Sequence, residues 1–446
     1  MTMIQATDDF KFEWPSPGDA QFVWLWDQMH NPRPLPPMAA EIMTRSMTRV
    51  MGGRRLVING YMYNSFGGPG AMPGPPGPMG APGGEPPDPW QLWNNANLPR
   101  IKKIVDGIRN RDYASMSSAR LAHSLDEIIT ESGEAFLLTF GAVLNGGMNT
   151  NMLVDFCEQE LGPEGAVRAM TMIQGHDNES ASAGAGLSRL AVLAATSPEL
   201  AAALRENRFD GLEALPGGDA FVRELRAYLD EYGRRAVTWG EIHIPTWAED
   251  PEVPLKLIGR YLADPSRAPE AALKRAQEQR DAAIAETEAQ LKPDKLERFR
   301  ALLKASQIHV PISENRAMWQ LISAAVLRVP LLALGGKLVT EGRLSQPDDI
   351  FFVTPEEAIE LAEGRPLVGI EGLVRQRRAD LQHWAALLPP KNLGAHAPPM
   401  MVGFLARFFG YGVEQGADAA IVTGIAAAKG VVKAVARVIM DLSDAD

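Results

Sequence analysis

The residues best suited to chemistry lie in positions 232–251, which read YGRRAVTWGEIHIPTWAEDP. Arg234 and Arg235 carry guanidinium groups, whose forked donors match phosphate oxygens. Glu241 and His243 are candidate bases for taking a proton from a substrate hydroxyl. Burying this much charge is costly unless the charges are paired or meet a ligand. The stretch is therefore the first candidate for a functional site.

Two interpretations of this stretch remain open on the residues alone. In the structural interpretation, the two arginines form an ion network with the acidic residues Glu241, Glu249 and Asp250. In the functional interpretation, the arginines bind a ligand, and Trp239 and Trp247 contribute aromatic surface to its pocket.

The elements on either side of this stretch are predicted helices. The preceding segment AFVRELRAYLDEYG repeats apolar residues at helical spacing and stops at Gly233, and the following segment PEVPLKLIGRYL starts another helix. The stretch is thus predicted to be an inter-helix connection. Connections held by a rigid scaffold often carry binding residues.

Composition excludes several classes of protein. The net charge of −11 lacks the basic footprint of a nucleic-acid binder. The one cysteine, Cys157, rules out an intrachain disulfide and a cysteine-rich metal site, as expected for a reducing cytoplasm. The seven histidines lack ligand spacing, so no metal site is predicted. No signal peptide or long apolar run is evident, so we expect a cytoplasmic chain that does not cross a membrane.

The predicted fold class is mainly α, in four parts. Residues 1–66 hold a small β-hairpin around an Asn-Gly turn, after a short capped helix predicted for SPGDAQFVWLWDQM. Residues 67–89 form a flexible insertion rich in Gly and Pro. Residues 90–415 are a helical domain, and residues 420–446 begin a second, β-containing domain that is incomplete.

Periodicity gives more detail within the helical domain. A helical hairpin is expected over residues 268–308, followed by a long helix from about Ser313 that is interrupted or bent at Pro330. The segment IFFV is β-like, and Thr354 starts a helix with a capping box. Other helices are predicted at residues 97–108, 118–140, 151–161, 163–174, 186–196 and 198–206.

Four stretches resemble the dikinase-type, PEP-utilizing phosphotransferases, the group that includes phosphoenolpyruvate synthase, rifampicin phosphotransferase and phenylphosphate synthase. Residues 232–251 resemble the family's Tyr-Gly-His-Arg, Glu-Ile-Asp, Trp and Glu-Asp-Pro series, with Arg234 where His is common and His243 where Asp is common. Residues 313–315, with Arg328 further on, resemble its Arg-Glu-Asn helix and the basic residue that follows it.

The other two resemblances lie nearer the end of the chain. Residues 342–354 are similar to the family's Gly-x-Leu and Asp-Asp-Ile-Phe-Phe segment. The segment GIAAAKGVVKAVARVI resembles the opening strands of its swivelling phosphohistidine domain, with Ala426 and Ala434 where Pro and Gly are usual.

The resemblance implies a relay in which ATP, with Mg²⁺, phosphorylates a histidine on a mobile domain, which passes the phosphoryl group to an acceptor hydroxyl. This chain is expected to bind the acceptor, an aromatic or hydrophobic small molecule, while a separate ATP-binding subunit and the mobile phosphohistidine domain do the rest. Expected roles are catalytic for His243 and Glu241, phosphate-binding for Arg234, Arg235 and Arg328, and substrate-binding for Glu314, Trp239, Trp247, Met148 and Met152. The alternative is a non-catalytic, ligand-binding or regulatory relative in which the arginines only brace helices.

Overall fold

The computed structural model describes residues 10–28, 30–65, 88–140, 143–267, 269–365 and 367–395. The predicted insertion, apart from its last two residues, and the predicted second domain at residues 420–446 lie outside these ranges. Within them the fold is mainly helical with one small antiparallel sheet, so the predicted fold class is confirmed.

The helices are numbered in chain order. They are α1 Pro37–Met51, α2 Pro89–Leu92, α3 Leu98–Arg109, α4 Ser118–Phe140, α5 Val143–Leu161, α6 Gly165–Met172, α7 Glu179–Ala194, α8 Pro198–Arg205, α9 Gly218–Tyr232, α10 Glu252–Ala263, α11 Pro269–Gln290, α12 Pro293–Ala325, α13 Arg328–Thr340, α14 Pro355–Ala362 and α15 Ile370–Ala385. The strands are β1 Val23–Trp26, β2 Arg54–Ile58, β3 Tyr61–Ser65 and β4 Asn392–Gly394.

The sheet confirms the predicted hairpin and ties the two ends of the described chain together. Its strand order is β2-β3-β1-β4, and all neighbours are antiparallel. Asn59 and Gly60 both adopt positive φ at the β2–β3 turn, as a tight hairpin turn requires. Trp24 pairs with Leu393, so a segment near the start of the chain is held by one near residue 393.

The helix predicted for SPGDAQFVWLWDQM is wrong. Only Pro17–Gln21 is helical, and it forms a 3₁₀ helix. Val23–Trp26 forms β1, an interior strand of the sheet. The β-prone residues VWLW gain ladder hydrogen bonds on both sides, from β3 and β4, and this outweighs the local capping signal. Trp24 and Trp26 are buried in the small core beneath the sheet, while Met29 lies outside the described residues.

Two further local predictions are corrected. The segment predicted to be β-like belongs to a 3₁₀ helix, Pro347–Phe352, whose aromatic residues are buried. The long helix begins at Pro293 instead of Ser313, and it is interrupted by a turn at residues 326–327, shortly before the predicted position at Pro330. Pro330 falls in the first turn of α13, where its missing N–H has no helical partner to lose. The capping box at Thr354 is confirmed.

Helix α12 is the central element of the fold, because it contributes to two apolar cores. Its first half belongs to a core that also contains residues of α5, α6 and α11, and its second half to a core that also contains residues of α1, α3, α4, α13 and α14. A third core joins α7, α8, α9 and α10.

By length and composition alone, the stretch Pro293–Thr340 in the described residues could span a membrane. However, it is interrupted by a turn at residues 326–327, and 67% of its most apolar window is buried inside the protein. This is the environment of a core helix.

Candidate functional site

The connection between α9 and α10 is a loop that lies against α12. Two backbone hydrogen bonds hold it in place. Ala248 N–H donates to the carbonyl of Gly233 at 3.0 Å, which brings the two ends of the loop together. Ala236 N–H donates to the carbonyl of Leu321 at 3.2 Å, which fixes the loop to α12. The predicted inter-helix connection is therefore confirmed and is rigidly held.

Arg328 braces this loop from the start of α13. Its side chain is only 6% exposed and binds both carboxylate oxygens of Glu249, with the shortest contact at 2.7 Å. Its Nη1 donates to the carbonyl of Ile242, also at 2.7 Å. Burial alone would raise the pKa of Glu249, but the hydrogen bonds from Arg328 and Thr246 lower it below its ordinary value. All three guanidinium nitrogens of Arg328 thus already donate hydrogen bonds to oxygens of the protein.

The two adjacent arginines have different environments. Arg234 forms an exposed ion pair with Asp230 at 2.5 Å. Arg235 stacks over the ring of Trp247 at 4.5 Å and has no carboxylate partner among the described residues. Burial lowers the pKa of Arg235 below its ordinary value. Neither pairs with Glu241, Glu249 or Asp250, so the structural interpretation named the wrong partners.

Glu241 is buried and ion-paired with Arg33, from the segment that follows β1. Burial, followed by the positive charges of Arg328, Arg33 and Arg378, lowers the pKa of His243 to about 4. His243 is therefore neutral at pH 7 and a weak proton acceptor. Its Nδ1 is buried without a hydrogen-bond partner.

A histidine–carboxylate pair that the sequence reasoning missed lies beside this loop. Asp27 is 3% exposed, and its Oδ1 lies 2.8 Å from Nδ1 of His30, while its Oδ2 accepts from Nδ2 of Asn31 at 2.9 Å. A carboxylate on Nδ1 leaves Nε2 of His30 as the hydrogen-bond acceptor. The His30 ring stacks on Trp239 with centroids 3.6 Å apart. The available signal was an Asp-x-x-His spacing directly after a β-prone run.

The segment after β1 fits closely against the loop at Gly240. A Cβ at this glycine would lie 2.2 Å from Oδ1 of Asn31 and 2.6 Å from Cδ1 of Leu35. Only glycine permits this approach. The segment that carries the Asp27–His30 pair therefore packs closely against the loop that carries Trp239, although the two are distant in sequence.

The remaining predicted residues are spread out. Trp239 is buried, Trp247 is half-buried, Met152 is 47% exposed and Glu314 is exposed, while the side chain of Met148 lies outside the described residues. Two cavities in the described part of the chain, of about 200 and 500 Å³, are lined by other residues. Neither of these cavities is lined by Arg235, Arg328, Trp239 or Trp247, so neither is the ligand pocket of the functional interpretation.

Comparison with known proteins agrees with the motifs. A family model described as the rifampicin phosphotransferase fourth domain matches residues 139–314. The chain is 29% identical, over 69% of its length, to a rifampicin phosphotransferase from a Streptomyces species, and 26% identical, over 77%, to that of Streptomyces sviceus. It is 24% identical, over 99% of its length, to chondramide synthase cmdD from Chondromyces crocatus.

These similarities confirm the predicted resemblance to the PEP-utilizing, dikinase-type phosphotransferases. It spans 36% and 41% of the two rifampicin phosphotransferases and 12% of the chondramide synthase.

Proposed function

We propose that this chain binds the acceptor in an ATP-dependent phosphotransferase and presents the acceptor's hydroxyl for phosphorylation by a phosphohistidine. The acceptor is an aromatic or otherwise hydrophobic alcohol. The observation that carries the proposal is the Asp27–His30 pair stacked on Trp239, because a base oriented by a carboxylate is held in place against an aromatic ring. The similarity to rifampicin phosphotransferases supports the reaction class.

The proposed step moves one proton and one phosphoryl group. His30 Nε2 takes the proton of the acceptor hydroxyl, the hydroxyl oxygen forms a bond to phosphorus, and the bond between phosphorus and the phosphohistidine nitrogen breaks. Asp27 stabilises the imidazolium that forms on His30. Arg235, whose guanidinium has no carboxylate partner among the described residues, stabilises negative charge on the phosphoryl oxygens.

Other candidates from the sequence fit this step less well. Glu241 is ion-paired with Arg33, and His243, with its pKa lowered to about 4, is too weak a base to take the hydroxyl proton efficiently. We assign both to shaping the loop. Arg234 is occupied by Asp230, and Arg328 by Glu249, so their phosphate-binding roles are less favoured than that of Arg235.

ATP and Mg²⁺ act elsewhere in the proposed system. A separate ATP-binding subunit would charge the mobile phosphohistidine domain, which then delivers the phosphoryl group to this chain. The described residues bring together no group of three carboxylate, histidine or cysteine ligands, so they offer no evident Mg²⁺ site.

The second candidate function is that of a non-catalytic ligand-binding relative. It is favoured by one observation. All the guanidinium nitrogens of Arg328 already bind Glu249 or the carbonyl of Ile242, as expected for a residue that stabilises the loop. In that case the chain would bind a ligand without presenting it for transfer.

Calorimetric titration of the full chain tests the acceptor role. At least one aromatic alcohol, from a panel that includes phenol and rifampicin, should bind saturably and more tightly than its analogue without the hydroxyl. His30→Leu should remove that preference, because the leucine offers no acceptor atom. His123→Leu is the matched control, since His123 makes a similar 2.8 Å pair with Glu363 at the exposed surface. Preference unchanged by His30→Leu would contradict the proposal.

A further inference from the structure

Helix α12 carries a line of polar side chains through the interior of the protein. The members recur at alternating spacings of three and four residues, so they share one face of the helix. We call them the polar stripe: Ser306, His309, Ser313, Arg316, Gln320 and Ser323. Four of them, Ser306, His309, Gln320 and Ser323, are at most 5% exposed. A polar line at these positions is unusual, because the face of a core helix is normally apolar.

The polar stripe leaves several hydrogen-bonding atoms without partners. These atoms are Nδ1 of His309, Nε of Arg316, Nε2 of Gln320 and Oγ of Ser323. A buried polar atom without a partner typically costs on the order of 1–3 kcal/mol. Four along one helix face therefore demand an explanation.

On the neighbouring face of the same helix, the polar side chains have hydrogen-bond partners. Asn315 Oδ1 accepts from the backbone N–H of Glu179 at 2.8 Å, and Nε1 of Trp319 donates to the Glu179 carboxylate at 3.1 Å. The helix thus satisfies polar side chains where it packs against α7. The unpartnered atoms are a property of the polar stripe.

Arg316 is the charged member of the polar stripe and has no ion-pair partner among the described residues. Its one hydrogen bond is from Nη1 to Oε1 of Gln320, at 2.9 Å. Burial lowers the pKa of Arg316 to about 10. Arg328, also in the interior, is by contrast matched by Glu249. The exposed carboxylate of Glu314 attracts Arg316 without forming an ion pair with it. A largely desolvated positive charge with so weak a counter-charge is costly unless a ligand supplies a better one.

The atoms left over define the chemistry of that ligand. Nε of Arg316 and Nε2 of Gln320 can only donate hydrogen bonds, and Oγ of Ser323 can do so as well. Their complement is a group that carries acceptor oxygens and negative charge. Ser313 and Arg316 are only half-buried, so the polar stripe comes closest to the surface at their turn of the helix.

We propose that the polar stripe is an anion-binding site, in which Arg316 and Gln320 hold the oxygens of a carboxylate or phosphate group of a small molecule. This inference does not depend on phosphoryl transfer. It predicts that the chain alone binds the anion. The anion site can therefore be disproved while the acceptor role holds, and the acceptor role can be disproved while the anion site holds.

Thermal unfolding of the full chain tests the site in two ways. Without added anion, Arg316→Met should leave the unfolding midpoint unchanged or raise it, because the substitution removes an uncompensated charge. Arg328→Met is the matched control and should lower the midpoint, because it strands Glu249 without its partner.

With added anion, the midpoint of the unsubstituted chain should rise with the concentration of benzoate or of inorganic phosphate, as expected when a ligand binds only the native state. Benzyl alcohol is the uncharged comparison. Phosphate also stabilises proteins by exclusion from their surface, so the informative quantity is the difference between the chain and its variants. Arg316→Met and Gln320→Leu should each remove most of the rise.

The two probes distinguish the source of the anionic group. A response to benzoate indicates a carboxylate ligand, and a response to phosphate indicates a phosphate ligand. The proposal is overturned if neither anion raises the midpoint beyond that of the Arg316→Met variant. It is also overturned if Arg316→Met lowers the midpoint as much as Arg328→Met, because Arg316 would then be a structural residue.

Discussion

At the scale of single residues, the charged groups around the α9–α10 loop differ in how fully the protein satisfies them. Arg328 and Glu241 are buried with opposite charges in contact. Arg235 has an aromatic partner and no carboxylate among the described residues. A group already bound by protein has fewer donors to offer a ligand. We therefore propose Arg235 as the arginine of this loop that binds phosphate.

Replacing Arg235 by Met should separate function from stability. Phosphoryl transfer in the complete enzyme system should fall by on the order of 100-fold or more, as on loss of one preorganised donor. The free energy of unfolding should change by only about 1 kcal/mol, because the residue loses one cation–π contact. Steady-state transfer assays and urea unfolding measure the two effects. Arg234→Met, the matched control, should change neither, and equal transfer by both variants would exclude Arg235 from the site.

His243 should make the stability of the protein depend on pH. The native state keeps this side chain neutral down to pH about 4, whereas the unfolded chain takes up a proton near the ordinary value of 6.5. Between these values the unfolded state binds more protons, so stability falls as the pH falls. The free energy of unfolding falls by about 3 kcal/mol over this range, because each unit of pKa difference corresponds to about 1.36 kcal/mol.

Urea unfolding between pH 7 and pH 4 measures this contribution. The His243→Asn variant should lose less stability over that interval, because asparagine does not titrate. Identical slopes for the variant and the original chain would show that the environment of His243 does not depress its pKa.

Sequence reasoning identified the residue types of the loop but not their partners. The density of charge and tryptophan at residues 232–251 is visible in the chain. The contact between His30 and Trp239 is not, because the two residues are far apart in sequence and meet only after folding. Arg33 and Glu241 are paired across a similar separation.

At the scale of elements, the candidate site depends on the fit between the segment after β1 and the α9–α10 loop. β1 is held by β3 on one side and by β4 on the other, and this fixes the chain that carries Asp27 and His30. The loop is fixed independently by Leu321 of α12. Gly240 is the point at which the two elements touch most closely.

Gly240→Ala should therefore disturb the site. The added methyl group would overlap Asn31 and Leu35, at a cost of about 1–3 kcal/mol for overpacking. Chemical denaturation should show this loss, and acceptor binding should weaken with it. Gly336→Ala is the control, because its Cβ meets nothing within 4 Å and helix propensity favours alanine. If both variants are equally stable, the close fit at Gly240 is not needed.

Helices were the most predictable elements, because their apolar periodicity is a local signal. The helical hairpin, α4 and the Thr354 capping box all follow from residues close in sequence. β1 was missed because its stability comes from β3 and β4, and the nearby Ser-Pro-Gly-Asp segment suggested a helix start. The break after α12 lies at residues 326–327, a few residues before the predicted position, because Pro330 is tolerated in the first turn of the next helix and does not itself mark the break.

At the scale of the whole molecule, one helix organises the described chain. α12 joins two apolar cores, receives the loop at Leu321 and carries the polar stripe. The resemblance to the dikinase-type phosphotransferases was predicted from the order of short motifs along the chain, and the similarity to rifampicin phosphotransferases supports it. The described residues are a helical scaffold with a candidate acceptor site. The proposed relay would bring the phosphoryl group to that scaffold from another part of the system.

The most direct test is phosphoryl transfer from ATP to an aromatic alcohol in a mixture of this chain, the ATP-binding subunit and the phosphohistidine domain. Transfer should require the chain and should fall about 100-fold or more in the His30→Gln variant, the usual effect of losing a general base. His123→Gln should transfer at the original rate. Transfer without the chain, or an unchanged rate with His30→Gln, would contradict the assignment of the acceptor site to the Asp27–His30 pair.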